Sequence, residues 1–104
     1  MENIIRGTTP TLIVDFTGVL DVSTIADAVL TIRTRSGIAR KRLSDLTVDI
    51  SHKTVSYHFS QAETLALTAN ENIHFQLDVL AAGERYRCLT DSAKVQDTQY
   101  AEVL

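Results

Sequence analysis

A two-sheet, all-β sandwich is the fold this sequence predicts. Three observations point there. Runs of strand length with period-two alternation recur at short intervals, single glycines or Asn and Asp punctuate them, and only one segment carries a clear helix start. The chain has 104 residues, 44% hydrophobic and 22% charged, which suits one compact domain with a real core, so residues 1–104 are read as a single unit.

The chain opens with Arg6, Gly7, Thr8, Thr9 and Pro10. A flexible glycine and a proline that cannot donate to a ladder mark a sheet edge, and Leu12, Val14 and Phe16 then share one face of a strand over 12–16. Gly18 and the stretch 21–24 form a connection with room for one helical turn. Ala28, Leu30 and Ile32 next alternate with Val29, Thr31 and Arg33, and Ser36 and Gly37 make a tight turn. The strand over 38–43 holds Arg40, Lys41 and Arg42 in succession, which suits an exposed edge. Leu46, Val48 and Ile50 resume the inward pattern, and His52 and Lys53 turn the chain into Val55, Tyr57 and Phe59.

Ser60 and Glu63 have capping-box spacing, so a short helix is expected over 61–67, closed by Asn70 and Asn72. Ile73, Phe75, Leu77 and Val79 give the cleanest alternation and the expected sheet centre. Ala82 and Gly83 turn into a strand over 85–90 with Tyr86 and Cys88 inward, and a last strand spans 93–98 before the tail. The expected core comprises Leu12, Val14, Leu30, Ile32, Val48, Ile50, Val55, Tyr57, Phe59, Phe75, Leu77 and Val79. About seven or eight short strands of this kind close most naturally as an antiparallel or mixed immunoglobulin-like sandwich with one short helix.

Formal charge is −3 with a pI near 5.5, so general attraction to nucleic acid or to an anionic membrane is not expected. The lone cysteine rules out an internal disulfide framework; after Met1 and Glu2 only two apolar residues, Ile4 and Ile5, come before Arg6, and no apolar run reaches membrane length, so neither a secretory signal nor a membrane span is expected. His52, His58 and His74 lack metal-ligand spacing, and no metal or other cofactor is expected. Cys88 beside a histidine would make a nucleophile, but it reads better as a small inward hydrophobe. Asp15, Asp49 and Asp78 read as solvated outward positions, no Gly-x-Ser-x-Gly elbow occurs, and the glycines follow no phosphate-loop pattern. No catalytic constellation emerges, and an enzyme is not expected.

The one charged constellation is basic. Arg33, Arg35, Arg40, Lys41 and Arg42 fall on a single hairpin. Protection of an edge strand is the plainest reading, an acidic face of a partner protein comes second, and nucleic acid third because no aromatic residue interleaves as a stacking platform.

The segment from Arg6 to Leu12, the run Ser60, Gln61, Ala62, Glu63, Thr64, Leu65, the strand around Phe75, Gln76 and Leu77, and the closing strand with Val95 together resemble the N-terminal domain of the phage baseplate upper protein family. These are structural words and bring no active-site residue with them. The resemblance implies an immunoglobulin-like sandwich and a non-catalytic assembly role in a phage or prophage tail tip or baseplate. It implies contacts with other tail proteins and with further copies of the chain, synthesis in the host cytoplasm, and residence in the virion. Members of that family continue into a linker and a distal domain, and this sequence stops at Leu104, so a small accessory protein is expected rather than a receptor-binding fibre. A carbohydrate-binding or adhesion module is the alternative reading; it would need an exposed aromatic platform, and with no Trp only Tyr100 is placed to supply one.

Overall fold

In the computed structural model, which describes residues 3–96 apart from the side chains of Cys88 and Leu89, eight strands form two sheets. They are β1 (Asn3–Ile5), β2 (Thr11–Asp15), β3 (Ile25–Thr34), β4 (Gly37–Arg42), β5 (Thr47–Asp49), β6 (Thr54–His58), β7 (Asn72–Ala81) and β8 (Glu84–Gln96), with one helix, α1 (Gln61–Leu65). One sheet has the order β1-β8-β7-β3-β4 and the other β2-β6-β5. β1 runs parallel to β8 and every other pairing is antiparallel. This is the immunoglobulin arrangement: a hairpin of the last two strands joins the third and fourth in one sheet, and strands two, five and six face them.

Alternation does the sorting. Ala28, Leu30 and Ile32 on β3, and Ile73, Phe75, Leu77 and Val79 on β7, are buried in one core with Leu12, Val14, Val55 and Tyr57 of the smaller sheet. Phe59 meets Tyr57 edge-on at 4.9 Å and Phe75 at 6.0 Å, so three rings knit the two layers together. β7, expected at the centre, lies in the middle of the five-stranded order.

The core expectations need two corrections. Ile50 is 62% exposed. β5 ends at Asp49, whose carboxylate accepts from the Ser51 hydroxyl at 2.8 Å and the His52 amide at 3.1 Å; that side-chain turn swings Ile50 off the ladder before the alternation can continue. Val48 is only half-buried, packed on the rim of the core.

Two further differences lie near the ends of the chain. The strands expected over 85–90 and 93–98 are one strand, β8, broken in phase rather than in continuity. Asp78 pairs with Arg87 while Leu77 pairs with Leu89, so Cys88 is the extra residue of a β-bulge. Beyond it the inward phase moves from Tyr86 to Ala93 and Val95. The inward face expected for Cys88, the end of the last strand and Tyr100 lie outside the described residues. At the other end, Ile4 is fully buried on β1, a strand that two apolar letters were too short to announce.

The helix ends two residues earlier than expected, and its cap is as expected. The Ser60 hydroxyl accepts from the Glu63 amide at 3.2 Å, and Glu63 Oε1 accepts from the Ser60 amide at 2.9 Å. Its exposed register would make it marginal alone, and tertiary contacts hold it. Fully buried Thr64 donates its hydroxyl to the Thr8 carbonyl at 2.7 Å and accepts from the Gly7 amide at 3.1 Å. Gln61 Nε2 donates to the Gly7 carbonyl at 3.1 Å, and an Arg6 terminal nitrogen donates to the Leu65 carbonyl at 3.0 Å. The segments 6–8 and 61–65 are therefore two halves of one junction. Gly7, at φ 82, lets the chain turn there from β1 in one sheet to β2 in the other.

Candidate functional site

Strand register decides which of the five hairpin cations act together. Thr31 pairs with Arg40 and Val29 with Arg42, all on the phase opposite to buried Leu30 and Ile32, so Arg40, Arg42 and Arg33 stand on the outer face of the five-stranded sheet. Arg35 is exposed in the turn between β3 and β4. β4 is the edge strand, as its composition suggests.

Lys41 leaves this group. It pairs with Leu30 on the inner phase, and its stem reaches past the sheet edge to the facing layer. There its ammonium lies 3.3 Å from Glu63 Oε2 and 5.5 Å from the centre of the Tyr57 ring, and the Tyr57 hydroxyl donates to the same carboxylate oxygen. Three consecutive cations on a strand cannot share a face, so the expected cluster of five was one too many. The network holds the edge of one sheet to the helix cap on the other. The Tyr57 hydroxyl beside Lys41 raises the ammonium above its usual range, with burial opposing and Glu63 assisting. Burial raises the Tyr57 phenol. Burial also pushes Glu63 upward, but hydrogen bonds from Tyr57, Ser60 and Lys41 outweigh it and hold the carboxyl below its ordinary 4.5.

A carboxyl depressed in the folded state contributes stability that is present above its unfolded pKa and is lost as pH falls through the folded one. Wild-type protein should therefore lose stability to acid below about pH 4.5. Glu63→Gln should be less stable at pH 7, with the gap to wild type narrowing as pH drops towards 3. Urea unfolding at the two pH values measures this, and a gap that stays constant would remove Glu63 from the account. Asp49, held near 2 by the Ser51 hydroxyl and the His52 amide and ring, adds acid sensitivity of the same sign in both proteins.

The other pairings in the larger sheet add cations that the sequence reading did not join to the hairpin. Arg85 pairs with Leu80, Arg87 with Asp78 and Lys94 with Asn72, all on the outer phase of β7 and β8. Arg33, Arg40, Arg42, Arg85, Arg87 and Lys94 thus share one solvent-facing surface in a chain whose overall charge is −3. Two are held by neighbouring carboxylates. Arg87 Nε lies 3.1 Å from Asp78 Oδ1, and Arg42 lies 3.9 Å from Asp27. Alternation about Tyr86 was enough to put Arg85 and Arg87 outward, but uniting them with Arg33 and Arg40 needed the strand order, which local pattern does not contain.

The remaining candidates are accounted for by local bonds. His58 Nδ1 shares a hydrogen bond of 2.8 Å with the Thr11 hydroxyl across β2 and β6, and His52 Nδ1 sits 2.7 Å from Asp49 Oδ2 in its turn. His74 is exposed on the outer face. Asp15 accepts from the Thr17 amide at 2.8 Å. Among the described residues no three His, Cys, Asp or Glu side chains gather as a metal site. Phe16, Phe59, Phe75 and Tyr57 are buried and Tyr86 packs partly against the core, so the described residues offer no exposed aromatic platform of the sort a sugar would need. No helix among them is long and apolar enough to cross a membrane. No protein-family model matches the chain, and no curated protein matches it.

Proposed function

We propose that this chain is a non-catalytic assembly module of a phage or prophage tail tip or baseplate, made in the host cytoplasm and built into the virion. It works through contacts made by the outer face of its five-stranded sheet. The observation that carries the reading is the gathering of Arg33, Arg40, Arg42, Arg85, Arg87 and Lys94 on that one face of an otherwise acidic protein. Edge protection would account for charge on β4 and on the stretch of β8 around Arg85 and Arg87 that β1 does not cover, but not for Lys94, which lies where β1 pairs with β8, nor for Arg33 on β3, which lies between β7 and β4. The resemblance of 6–12 and 60–65 to the baseplate upper protein family supports the tail assignment, and the junction those segments form gives them a structural reason to be there.

Reversing Arg33 and Arg40 to Glu tests the reading, because neither makes an ion pair among the described residues and both are exposed, so the fold should stay within about 0.5 kcal/mol of wild type. Assembly with co-expressed tail proteins, followed by light scattering and pull-down, should weaken, and the deficit should shrink as salt rises. A double reversal that assembles like wild type at low salt would show that this face is not the contact.

A further inference from the structure

We infer that a groove at one end of this face receives a carboxylate-bearing, partly apolar segment of an acidic partner protein, an inference that rests on the assembly reading above. Register lays the outer face out in rows. One row crosses four strands as Arg87, Asp78, Val29 and Arg42, and the adjacent row holds Arg85, Leu80 and Asp27. Between them lies an open depression of about 380 Å³ lined by these residues. Its floor is aliphatic, from half-buried Val29 and Leu80, and its rim is charged.

The rim is organised rather than merely basic. Asp78 fixes the Arg87 guanidinium and Asp27 approaches that of Arg42. Arg85, one row away and exposed, makes no ion pair among the described residues. It stands two positions from Arg87 on the same strand, about 7 Å along it, so one arriving carboxylate can be taken by Arg85 within the field of its neighbours. An apolar floor inside a polar, arginine-rich rim is the anatomy of a protein interface.

Other occupants fit less well. Asp27 and Asp78 would repel a phosphate backbone at the same place where the arginines attract it. A second copy bound face to face would bring together two surfaces that each carry an excess of positive charge, with Arg33, Arg40, Arg85 and Lys94 outnumbering the carboxylates left to receive them, and so would be repelled. The partner is therefore a different, acidic surface.

The experiment is a nitrogen-15 NMR titration of the full chain with a blocked peptide of alternating glutamate and valine. The same peptide with glutamine for glutamate, and a short DNA duplex, serve as comparisons. Amide shifts should concentrate at Val29, Arg42, Leu80, Arg85 and Arg87, and should fade with salt and with the glutamine peptide. Arg85→Glu should weaken binding about tenfold or more, and Arg85→Gln less, while Arg33→Glu changes it little. Equal weakening by Arg33→Glu and Arg85→Glu, shifts spread evenly along the rows of Arg33 and Arg40, or tighter binding of the duplex would each overturn the groove. Peptide that fails to bind, together with assembly that is still lost on reversing Arg33 and Arg40, would overturn the groove and leave the assembly reading standing. The converse pattern would do the opposite.

Discussion

Phe75→Ala is expected to cost about 3–5 kcal/mol, a large part of the 5–15 kcal/mol typical of a domain this size. Phe75 is 1% exposed on the central strand, opposite Ile32 on β3 and edge-on to Phe59, the residue that follows β6 of the facing sheet. Truncation removes the transfer energy of a buried ring and leaves a hole that three well-paired strands cannot close, because β3 and β8 fix β7 on both sides. The comparison is His58→Ala on β6, one of the three strands facing that ring. Its side chain is exposed and loses only a surface hydrogen bond to Thr11, so the change should stay within about 0.5 kcal/mol. Urea denaturation of both variants measures the difference. Equal losses would mean that the inward and outward phases of these strands have been exchanged.

That contrast was legible in the letters themselves. Period-two alternation in Ile73, Phe75, Leu77 and Val79, and in Ala28, Leu30 and Ile32, needs no tertiary knowledge to read, and neither does the Ser60 and Glu63 cap. Less was legible where a single residue breaks the period. The bulge at Cys88 shifts the phase of β8 without a glycine or proline to mark it, and the Asp49 side-chain turn removes Ile50 from a strand whose alternation looked unbroken. The basic face was half legible for a related reason: alternation assigns each arginine to a side, but only the order β8-β7-β3-β4 brings Arg85 and Arg87 beside Arg40 and Arg42. Lys41 shows the cost of reading charge by proximity in sequence, since its neighbours on the chain are its opposites on the sheet.

Glu71 was the least legible residue of all, lying among the polar letters that close the helix, and Glu71→Ala is expected to cost about 2–4 kcal/mol. It is 4% exposed, a charged side chain almost wholly out of water, and such a group persists only when its oxygens are satisfied. One oxygen accepts from the Thr68 amide at 2.9 Å and the other from the Arg35 amide at 2.7 Å, in the turn between β3 and β4. The backbone at 70–71 is meanwhile pinned to β8, where the Asn70 amide donates to the Val95 carbonyl and the Val95 amide to the Glu71 carbonyl, both at 2.8 Å. One carboxylate thus ties the tip of the basic hairpin to the start of the central strand of the larger sheet. Alanine would leave two amides without acceptors and free the hairpin tip. Hydrogen exchange should accelerate at Arg35 and Thr68 well beyond the rise that lower global stability gives to Leu30 and Leu77. Glu71→Gln, which keeps one carbonyl acceptor, should recover part of the protection. If exchange at Arg35 rises no more than at Leu77, the carboxylate contributes only to global stability. The Arg33 and Arg40 face would then keep its shape without it.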